Sequence, residues 1–305
     1  MKKVILILFL ITTPIISQKI TVINNNPVTS LTEGKFYYPQ IHPDGTSIIF
    51  SSENRKGLWF KNLNGGKILM ITDALGAGYE PGFSSRNELI FRHDKFISGR
   101  RVSSLASYNL ISKKSSYLEN SIRDLKICRS ESGLVSSFLK DSNLPVAINK
   151  NTLQKGNSIV MTAYAQNSSL IVVEGGARKT IQPFGTGHYL WPSISPNREM
   201  LLFTYAGKGA YVTDLNGTII KKLGYANYPS FSPDGNWVLF MKDIDDGVEV
   251  ISSNIHIVNI KSGKYFNLTT EHDHIAMYPR WGISSSEIYY NTYDGQIRKI
   301  ELKIE

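Results

Sequence analysis

The sequence predicts an all-β protein, a six-bladed β-propeller built from four-stranded antiparallel blades, with seven blades as the alternative. The first observation is a recurring motif of an aromatic residue, a proline and a tight turn, most complete at residues 228–235. The second is its period, because copies outside one long gap follow each other at 37 to 50 residues, as in propellers and solenoids. The third is the short alternating segments between copies, which are typical of strands. The other copies begin at Tyr38, Glu80, Trp191 and Tyr278.

The copy at Tyr228 shows how one repeat makes one blade. Residues 229–232 read as extended, and the following proline is expected to hold Tyr228 in β geometry. The tetrapeptide Ser-Pro-Asp-Gly at 232–235 predicts a tight turn. Three more strands are expected at 237–241, 255–260 and 265–269. Four antiparallel strands in about 45 residues make one propeller blade.

The number of blades depends on the gap between Pro81 and Pro192, which spans 111 residues. The gap contains strand-like segments that make either one enlarged blade, for six in total, or two minimal blades, for seven. We favour six. These segments lie at 125–128, 134–139, 158–162 and 170–173.

The last repeat is one strand short, which predicts how the ring closes. It offers segments 287–291 and 296–300 after its motif and then ends. The spare alternating segment at 19–23 precedes the first motif. Pairing it with the last blade would shield the exposed sheet edges. We therefore expect residues 19–305 to form a single propeller domain.

Residues 1–18 are predicted to be an export signal. Lys2 and Lys3 precede an apolar run that is too short to span a membrane, and Ser17 suits cleavage. The mature chain is then expected to be periplasmic or secreted and not membrane-spanning. Loss of the two lysines changes the net charge from +9 to +7, which permits weak attraction to an acidic surface or glycan but does not indicate nucleic-acid binding. Cys128 is the sole cysteine, so no internal disulfide forms, and its apolar surroundings predict burial.

These motifs resemble the repeats of the TolB-type β-propeller family, which also form the propeller of prolyl-oligopeptidase-like enzymes. The resemblance covers most of residues 34–302 and is poor between about 119 and 185. The chain lacks room for the N-terminal α/β domain of TolB and has no Gly-x-Ser-x-Gly motif of a hydrolase domain. The resemblance therefore implies a free-standing exported propeller, with protein interaction as the implied role.

The residues before the motif prolines are the first candidate binding residues. Tyr38, Trp191, Tyr228 and Tyr278 are expected near the inner rim, where first strands converge on the channel. Aromatic side chains there suit stacking on a ligand or anchoring a partner peptide. The alternative is packing between blades, repeated for structural reasons.

Charged candidates lie in two hairpins and in two connections between blades. Arg92 and Arg100 belong to a basic hairpin and Asp245 to an acidic one, and both hairpins are expected on one face, where they suit a polar protein partner. Ordinary surface charge is the alternative, and 243–247 also resembles an incomplete calcium loop. Glu80 and His274 precede first strands. His274 lies in the metal-like cluster 271–274, which lacks identifiable further ligands, so we assign no metal, cofactor or catalytic residue.

The leading functional hypothesis is a non-enzymatic, monomeric module of the bacterial cell envelope that binds or scaffolds a protein or peptide. The alternative is a lyase or hydrolase acting on polysaccharide or another polyanion at the channel mouth. Its candidate residues are Glu80, His188, Asp273 and His274. A third hypothesis is direct sensing of a small ligand or metal through the channel.

Overall fold

The chain forms a ring of seven antiparallel sheets in a computed structural model that describes residues 19–139, 145–148, 160–270 and 274–305. The seven-bladed alternative is confirmed, and the preferred count of six is wrong. Every blade packs on the next, and the seventh packs on the first.

Five blades contain four strands, and their strands follow one another across the sheet. Strand β1 (Ile20–Pro27) precedes blade 1 and belongs to blade 7. The strands of the other four complete blades are, in blade 1, β2 (Tyr37–Ile41), β3 (Ser47–Ser51), β4 (Leu58–Asn62) and β5 (Leu69–Thr72); in blade 2, β6 (Gly82–Ser85), β7 (Glu88–Ile97), β8 (Arg100–Asn109) and β9 (Lys114–Ile122); in blade 5, β16 (Tyr189–Ile194), β17 (Met200–Tyr205), β18 (Gly209–Asp214) and β19 (Ile219–Gly224); and in blade 6, β20 (Asn227–Phe231), β21 (Trp237–Asp245), β22 (Val250–Asn259) and β23 (Tyr265–Asn267).

The long gap between motifs folds as two separate sheets, each with three strands among the described residues. The motif turn persists in blade 3 without its proline. Ser130 N donates to Leu134 O at 2.8 Å and Gly133 N to Ser130 O at 2.9 Å, as Ser232 and Gly235 do in blade 6. A Ser-Glu-Ser-Gly turn thus replaces Ser-Pro-Asp-Gly, which explains why the sequence hides this repeat. The strands are β10 (Lys126–Arg129), β11 (Val135–Leu139) and β12 (Val146–Ala147) in blade 3, and β13 (Met161–Gln166), β14 (Ser169–Glu174) and β15 (Ala177–Ile181) in blade 4.

The N-terminal strand completes blade 7, as expected from the spare segment at 19–23. This blade contains β24 (Ala276–Trp281), β25 (Glu287–Thr292) and β26 (Ile297–Ile304), and β1 pairs antiparallel with β26. Backbone bonds between Lys19 and Glu305, 2.9 and 3.0 Å long, extend the ladder to the chain end. The pairing covers the free edge of β26 and thereby closes the ring.

The core lies between the blades. Every residue of β3 is buried, because its two sets of alternating side chains pack against different neighbouring blades. Cys128 belongs to a buried cluster shared by blades 3 and 4, and burial raises the pKa of its thiol to about 12. The expectation that Cys128 is buried is confirmed. None of the described segments is a helix long and apolar enough to cross a membrane.

Removal of β1 tests the closure of the ring. A chain that begins at Val28 should unfold at least about 10 °C below a matched chain that begins at Lys19, because it loses a ladder and the packing of Ile20 and Val22 on blade 7. Thermal unfolding followed by circular dichroism measures the difference. Equal midpoints for the two chains would contradict closure by this strand.

His256 predicts a loss of stability in acid. It is buried near the rings of Phe240 and Tyr265, and burial, followed by the charge of Lys242, lowers its pKa to about 4. Protonation therefore favours the unfolded chain. The contribution of neutral His256 to the free energy of unfolding is complete above about pH 6.5. This contribution is lost as the pH falls toward 4, by up to about 1.4 kcal/mol per pH unit. Urea unfolding of wild type and His256→Asn across this range should show wild type losing more stability; parallel profiles would refute the assignment.

Candidate binding site at the channel mouth

The direction of the strands gives the ring two faces. Because neighbouring strands are antiparallel, each first strand starts on the face that carries the connections between blades and the loops between second and third strands. We call this the loop face. The opposite face, which carries turns such as 232–235, is the turn face. The residues before the motif prolines stand at or just before the starts of first strands, so they gather where the channel opens on the loop face.

The residue before each motif proline has a left-handed backbone conformation, which contradicts the β geometry expected for Tyr228. At Tyr228 the pairing of β20 with β21 shifts register between Asn227 and Ser230. Such a bulge bends the strand and redirects a side chain. The bulge overrides the preference for β geometry that the proline imposes, and the left-handed conformation costs about 1–2 kcal/mol per residue. The φ angles lie between 49° and 59° at Tyr38, Glu80, Trp191, Tyr228 and Tyr278.

The four aromatic residues of this set form a continuous arc across blades 5, 6, 7 and 1, which we call the aromatic arc. Trp191 stacks on Tyr228 with ring centroids 4.7 Å apart. Tyr228 meets Tyr278 edge-on at 4.8 Å, and Tyr278 meets Tyr38 at 4.5 Å. All four are half-buried. The packing interpretation is therefore confirmed, because the rings contact one another between blades, and part of each ring's surface stays accessible.

Arg55 joins the aromatic arc to the second-to-third-strand loop of blade 1. Its Cζ lies 3.6 Å from the centroid of the Tyr38 ring and 5.0 Å from that of Tyr79. Its guanidinium also donates to the Tyr228 hydroxyl at 3.4 Å and to the Gly78 carbonyl at 3.2 Å. Cation–π contact and hydrogen bonds together hold this charge at the mouth.

Arg129 reaches from blade 3 toward blade 2 through space left by a glycine. Its guanidinium donates to the carbonyls of Pro81 at 2.5 Å and Gly133 at 3.1 Å. A Cβ on Gly82 would lie 2.3 Å from Nη1 of Arg129 and 2.8 Å from Cγ2 of Val135. Gly82 therefore provides the room that the Arg129 side chain occupies.

Arg280 is the third cation of the cluster, two residues after Tyr278. It is half-buried, and no group in the described part of the chain accepts a hydrogen bond from it. Burial lowers its pKa, Glu80 acts in the opposite direction, and Arg55 adds to the lowering. Burial likewise lowers the pKa of Arg129 to about 10, and the Arg280 charge acts the same way. Both remain charged near neutral pH.

The charges at the mouth do not balance. The Glu80 carboxylate acts on the guanidinium groups of Arg129 and Arg280, and the Arg55 charge acts on Arg280, so the three guanidinium groups carry two more positive charges than Glu80 balances among the described residues. We call these four residues the arginine cluster. Arg92 does not add to the excess, because it pairs with Asp94 at 3.1 Å and also donates to Ser103.

Two predicted site residues, Glu80 and Arg92, line one small cleft. Its volume is about 130 Å³, and Tyr79 and Lys126 also line it. The Arg92 guanidinium lies 5.4 Å from the Tyr79 ring, on which Arg55 also lies. A larger open cleft of about 660 Å³ on the turn face, lined by Asp234 and Lys261, is separate from this site.

The other predicted site residues lie away from the aromatic arc. Arg100 is exposed at the tip of the β7–β8 hairpin. Asp245 is exposed in the β21–β22 hairpin, where its carboxylate accepts from Gly247 N at 3.0 Å. His274 lies 2.6 Å from the Tyr290 hydroxyl through Nε2 and stacks on that ring. The structure therefore gives His274 a packing contact within blade 7.

The residues invoked for the alternative functions are only partly described. Asp273 and the rest of 271–273 lie outside the described residues, and His188 is exposed just before β16. Within the described ranges, no group of three or more His, Cys, Asp or Glu side chains is placed to hold a metal ion.

Sequence reasoning missed the three arginines. Arg280 stands inside a recognised motif copy, so its position relative to Tyr278 could have marked it. Arg129 immediately precedes the turn of the hidden repeat, at 130–133, and aligning Ser-Glu-Ser-Gly with the other turns would have found it. Arg55 occupies a loop with no motif, so only the structure reveals its contact with Tyr38.

The topology defines a seven-bladed β-propeller closed by its N-terminal strand, with a cationic and aromatic channel mouth. No protein-family model and no curated protein sequence matches the chain. Among solved structures, the β-propeller domain of Cps50 (Swd1) from Myceliophteria thermophila is similar with a TM-score of 0.60 and 8% identity, over 91% of this chain and 99% of that one.

Two further similar structures have lower scores. TolB from Acinetobacter baumannii gives a TM-score of 0.48 at 14% identity, over 90% of this chain and 65% of that chain, so this chain spans about two thirds of its length. An oligogalacturonate lyase in complex with manganese gives 0.48 at 10% identity, over 88% and 78% of the two chains. At these identities the likeness concerns the fold alone.

Substitution of Gly82 tests how Arg129 is accommodated. Gly82→Ala should lower the free energy of unfolding by about 1–3 kcal/mol, because the new methyl group overlaps Arg129 and Val135. The loss should be smaller when Arg129→Ala is already present. Urea unfolding of the two single variants, the double variant and wild type gives this coupling energy, and strictly additive effects would show that Arg129 does not occupy the space.

Proposed function

We propose that the chain is a non-enzymatic, exported β-propeller that acts as a protein-binding or scaffolding module of the bacterial cell envelope. The observation that carries the proposal is the aromatic arc beside Arg55. Aromatic residues and arginine are the side chains most enriched in binding hot spots. Here four rings from four blades are held in fixed positions and remain partly accessible.

Two long hairpins on the loop face support a protein partner. The β7–β8 tip exposes Phe96 (64%) and Ile97 (58%), and the β21–β22 tip exposes Ile244 (61%) and Val248 (89%). Adjacent exposed apolar side chains at each tip are available to pack against a partner. Blades 2 and 6 are separated by two blades one way round the ring and three the other, so the hairpins stand on different sides of the channel.

The two tips carry opposite charge. A partner that covers both tips would need acidic and basic regions of its own, which favours a protein over a simple polyanion. The basic tip contains Lys95, Arg100 and Arg101, and the acidic tip contains Asp245, Asp246 and Glu249.

Export to the envelope is part of the proposal. It depends on the Lys-Lys apolar pattern of residues 1–18, which lie outside the described residues. The proposed partner is an envelope protein or peptide, and the propeller itself is proposed to be monomeric.

Photo-crosslinking in cells tests the proposal. A photoreactive phenylalanine derivative in place of Tyr79 at the mouth, or of Phe96 at the hairpin tip, should yield the same discrete adduct with one envelope protein. The matched control is Tyr117, which is exposed on the outermost strand of blade 2 and should yield no such adduct. An adduct from Tyr117 alone, or none from the loop face, would count against the proposal.

The alternative, an enzyme that acts on a polyanion, is favoured by one observation, the positive excess of the arginine cluster. Its test is incubation of the purified protein with acidic polysaccharides and detection of new reducing or unsaturated ends. Product formation that is abolished by Glu80→Gln would replace the binding proposal.

A further inference from the structure

The arginine cluster is not explained by the fold. Arg280 is repelled by both Arg129 and Arg55, and partial burial strengthens that repulsion because the local dielectric constant is lower than that of water. Arg55 and Arg129 hydrogen-bond to carbonyls, but Arg280 has no acceptor in the described part of the chain. A half-buried guanidinium that lacks a hydrogen-bond acceptor among the described residues is unfavourable, so this arrangement suits a negative group supplied from outside.

Two hydroxyls at the equivalent position of other blades also lack partners among the described residues. Ser193 and Ser230 occupy the repeat position of Arg280 in blades 5 and 6, two residues after the left-handed aromatic residue. Their Oγ atoms are buried and, within the described residues, have no hydrogen-bond partner. Arg280 and Ser230 belong to adjacent blades that are joined by a bond from Trp281 Nε1 to Ser230 O at 3.2 Å. Unpaired buried hydroxyls are uncommon in proteins and usually receive a hydrogen bond from a water or another polar group, so these two could accept or donate a further bond at the mouth.

We infer that the channel mouth is a carboxylate site in which Arg280, next to Arg129 and Arg55, binds an acidic group from an extended segment of a partner protein. The inference rests on the proposed function and adds the chemistry of the inserted segment. The carboxylate belongs either to a Glu or Asp side chain or to the C-terminus of the partner.

The geometry of guanidinium groups favours a carboxylate. The planar fork of arginine donates two parallel hydrogen bonds to the two oxygens of a carboxylate. Arg280 donates to no acceptor among the described residues, while Arg55 is fixed by the Tyr38 ring and Arg129 by backbone carbonyls. One acid group would therefore gain a bidentate bond from Arg280 and charge neutralisation from the other two, with little reorganisation of the site.

The surroundings favour a peptide over a sugar acid. Aromatic rings bind both, but a protein partner also covers the exposed apolar tips, Phe96 and Ile97 on one side and Ile244 and Val248 on the other. A glycan in the channel would leave these side chains in water. Acidic oligosaccharide binding is thus the competing outcome of the test.

The test measures binding of short labelled peptides to the purified propeller by fluorescence anisotropy at low salt. Acetylated oligoglutamate with an amidated end presents only side-chain carboxylates. Oligoglutamine with a free end presents only the terminal one, and amidated oligoglutamine presents none. An oligogalacturonate of matched charge is the fourth probe. We expect at least one carboxylate peptide to bind more tightly than amidated oligoglutamine and the sugar.

Variants assign the binding to Arg280. Arg280→Gln should weaken binding of the preferred peptide at least about tenfold, and Arg280→Lys should weaken it less because the charge remains. Arg86→Gln is the matched control, since Arg86 is exposed in the turn after β6, on the turn face, and should leave binding unchanged. Equal affinity of wild type and Arg280→Gln would overturn the inference.

Thermal unfolding separates binding from a structural role. Arg280→Gln relieves repulsion with Arg129 and Arg55, so its melting temperature should equal or exceed that of wild type. Excess peptide should raise the melting temperature of wild type but not of Arg280→Gln. A variant that melts well below wild type, yet binds normally, would show that Arg280 only supports the fold.

In the binding measurement, tighter binding of the oligogalacturonate than of the peptides would assign the site to a glycan.

The outcomes also separate this inference from the proposed function. Crosslinks at Tyr79 and Phe96 without peptide binding would leave a protein-binding propeller whose channel does not take a carboxylate. Peptide binding without crosslinks in cells would leave the carboxylate site and refute the envelope partner.

Discussion

The antiparallel pairing of β1 with β26 is the interaction on which the rest of the molecule depends. Blade 7 has only three strands of its own, the motif strand and two that follow it, so its outer edge would otherwise be open. The candidate site spans the junction between blade 7 and blade 1. The Tyr278 ring of blade 7 lies 4.5 Å from the Tyr38 ring of blade 1, and Tyr38 N donates to Asn291 Oδ1 at 3.0 Å. The aromatic arc therefore crosses the junction at which the last blade meets the first.

Closure also stabilises a local conformation that is unfavourable by itself. A bulky residue before a proline avoids the left-handed region, yet five blades place one there. Neighbouring blades compensate part of the strain, since the amide of Tyr278 reaches Met241 Sδ of blade 6 at 3.3 Å, as Tyr38 reaches Asn291. Strain of this kind is kept where the surrounding structure fixes it, and it concentrates at functional sites.

Repeated local chemistry made most of the fold predictable. The motif fixed the first strand, the turn and the second strand in each clear copy, and the spare segment at 19–23 predicted the closing strand. The blade count failed because blade 3 keeps the turn hydrogen bonds of Ser130 and Gly133 without the proline that marks the motif. The predicted β conformation of Tyr228 was wrong because a bulge between two strands overrides the local preference of the Tyr228-Pro229 dipeptide.

The candidate site was less predictable because its charges come from unrelated positions. Tyr38, Trp191, Tyr228 and Tyr278 share one repeat position, so sequence periodicity identified them. Arg55 belongs to a loop and Arg129 to a hidden repeat, and no spacing rule brings either one toward Arg280. Contacts such as Arg55 on Tyr38, 3.6 Å from guanidinium carbon to ring centroid, result from the ring geometry alone.

The uncompensated positive charge of the arginine cluster destabilises the free propeller. A second carboxylate near Arg280, or a neutral side chain in its place, would remove the repulsion. The equivalent positions in other blades are uncharged, namely Gln40 in blade 1, Ser193 in blade 5 and Ser230 in blade 6. Blade 2 has Gly82 there, and the space receives a second guanidinium in place of a counterion. Blades 2 and 7 thus differ from blades 1, 5 and 6, because each has a guanidinium group at this position, at one end of the channel. A site that is electrostatically incomplete in isolation, and rigid because closure and strain fix its parts, is preorganised for a negative group.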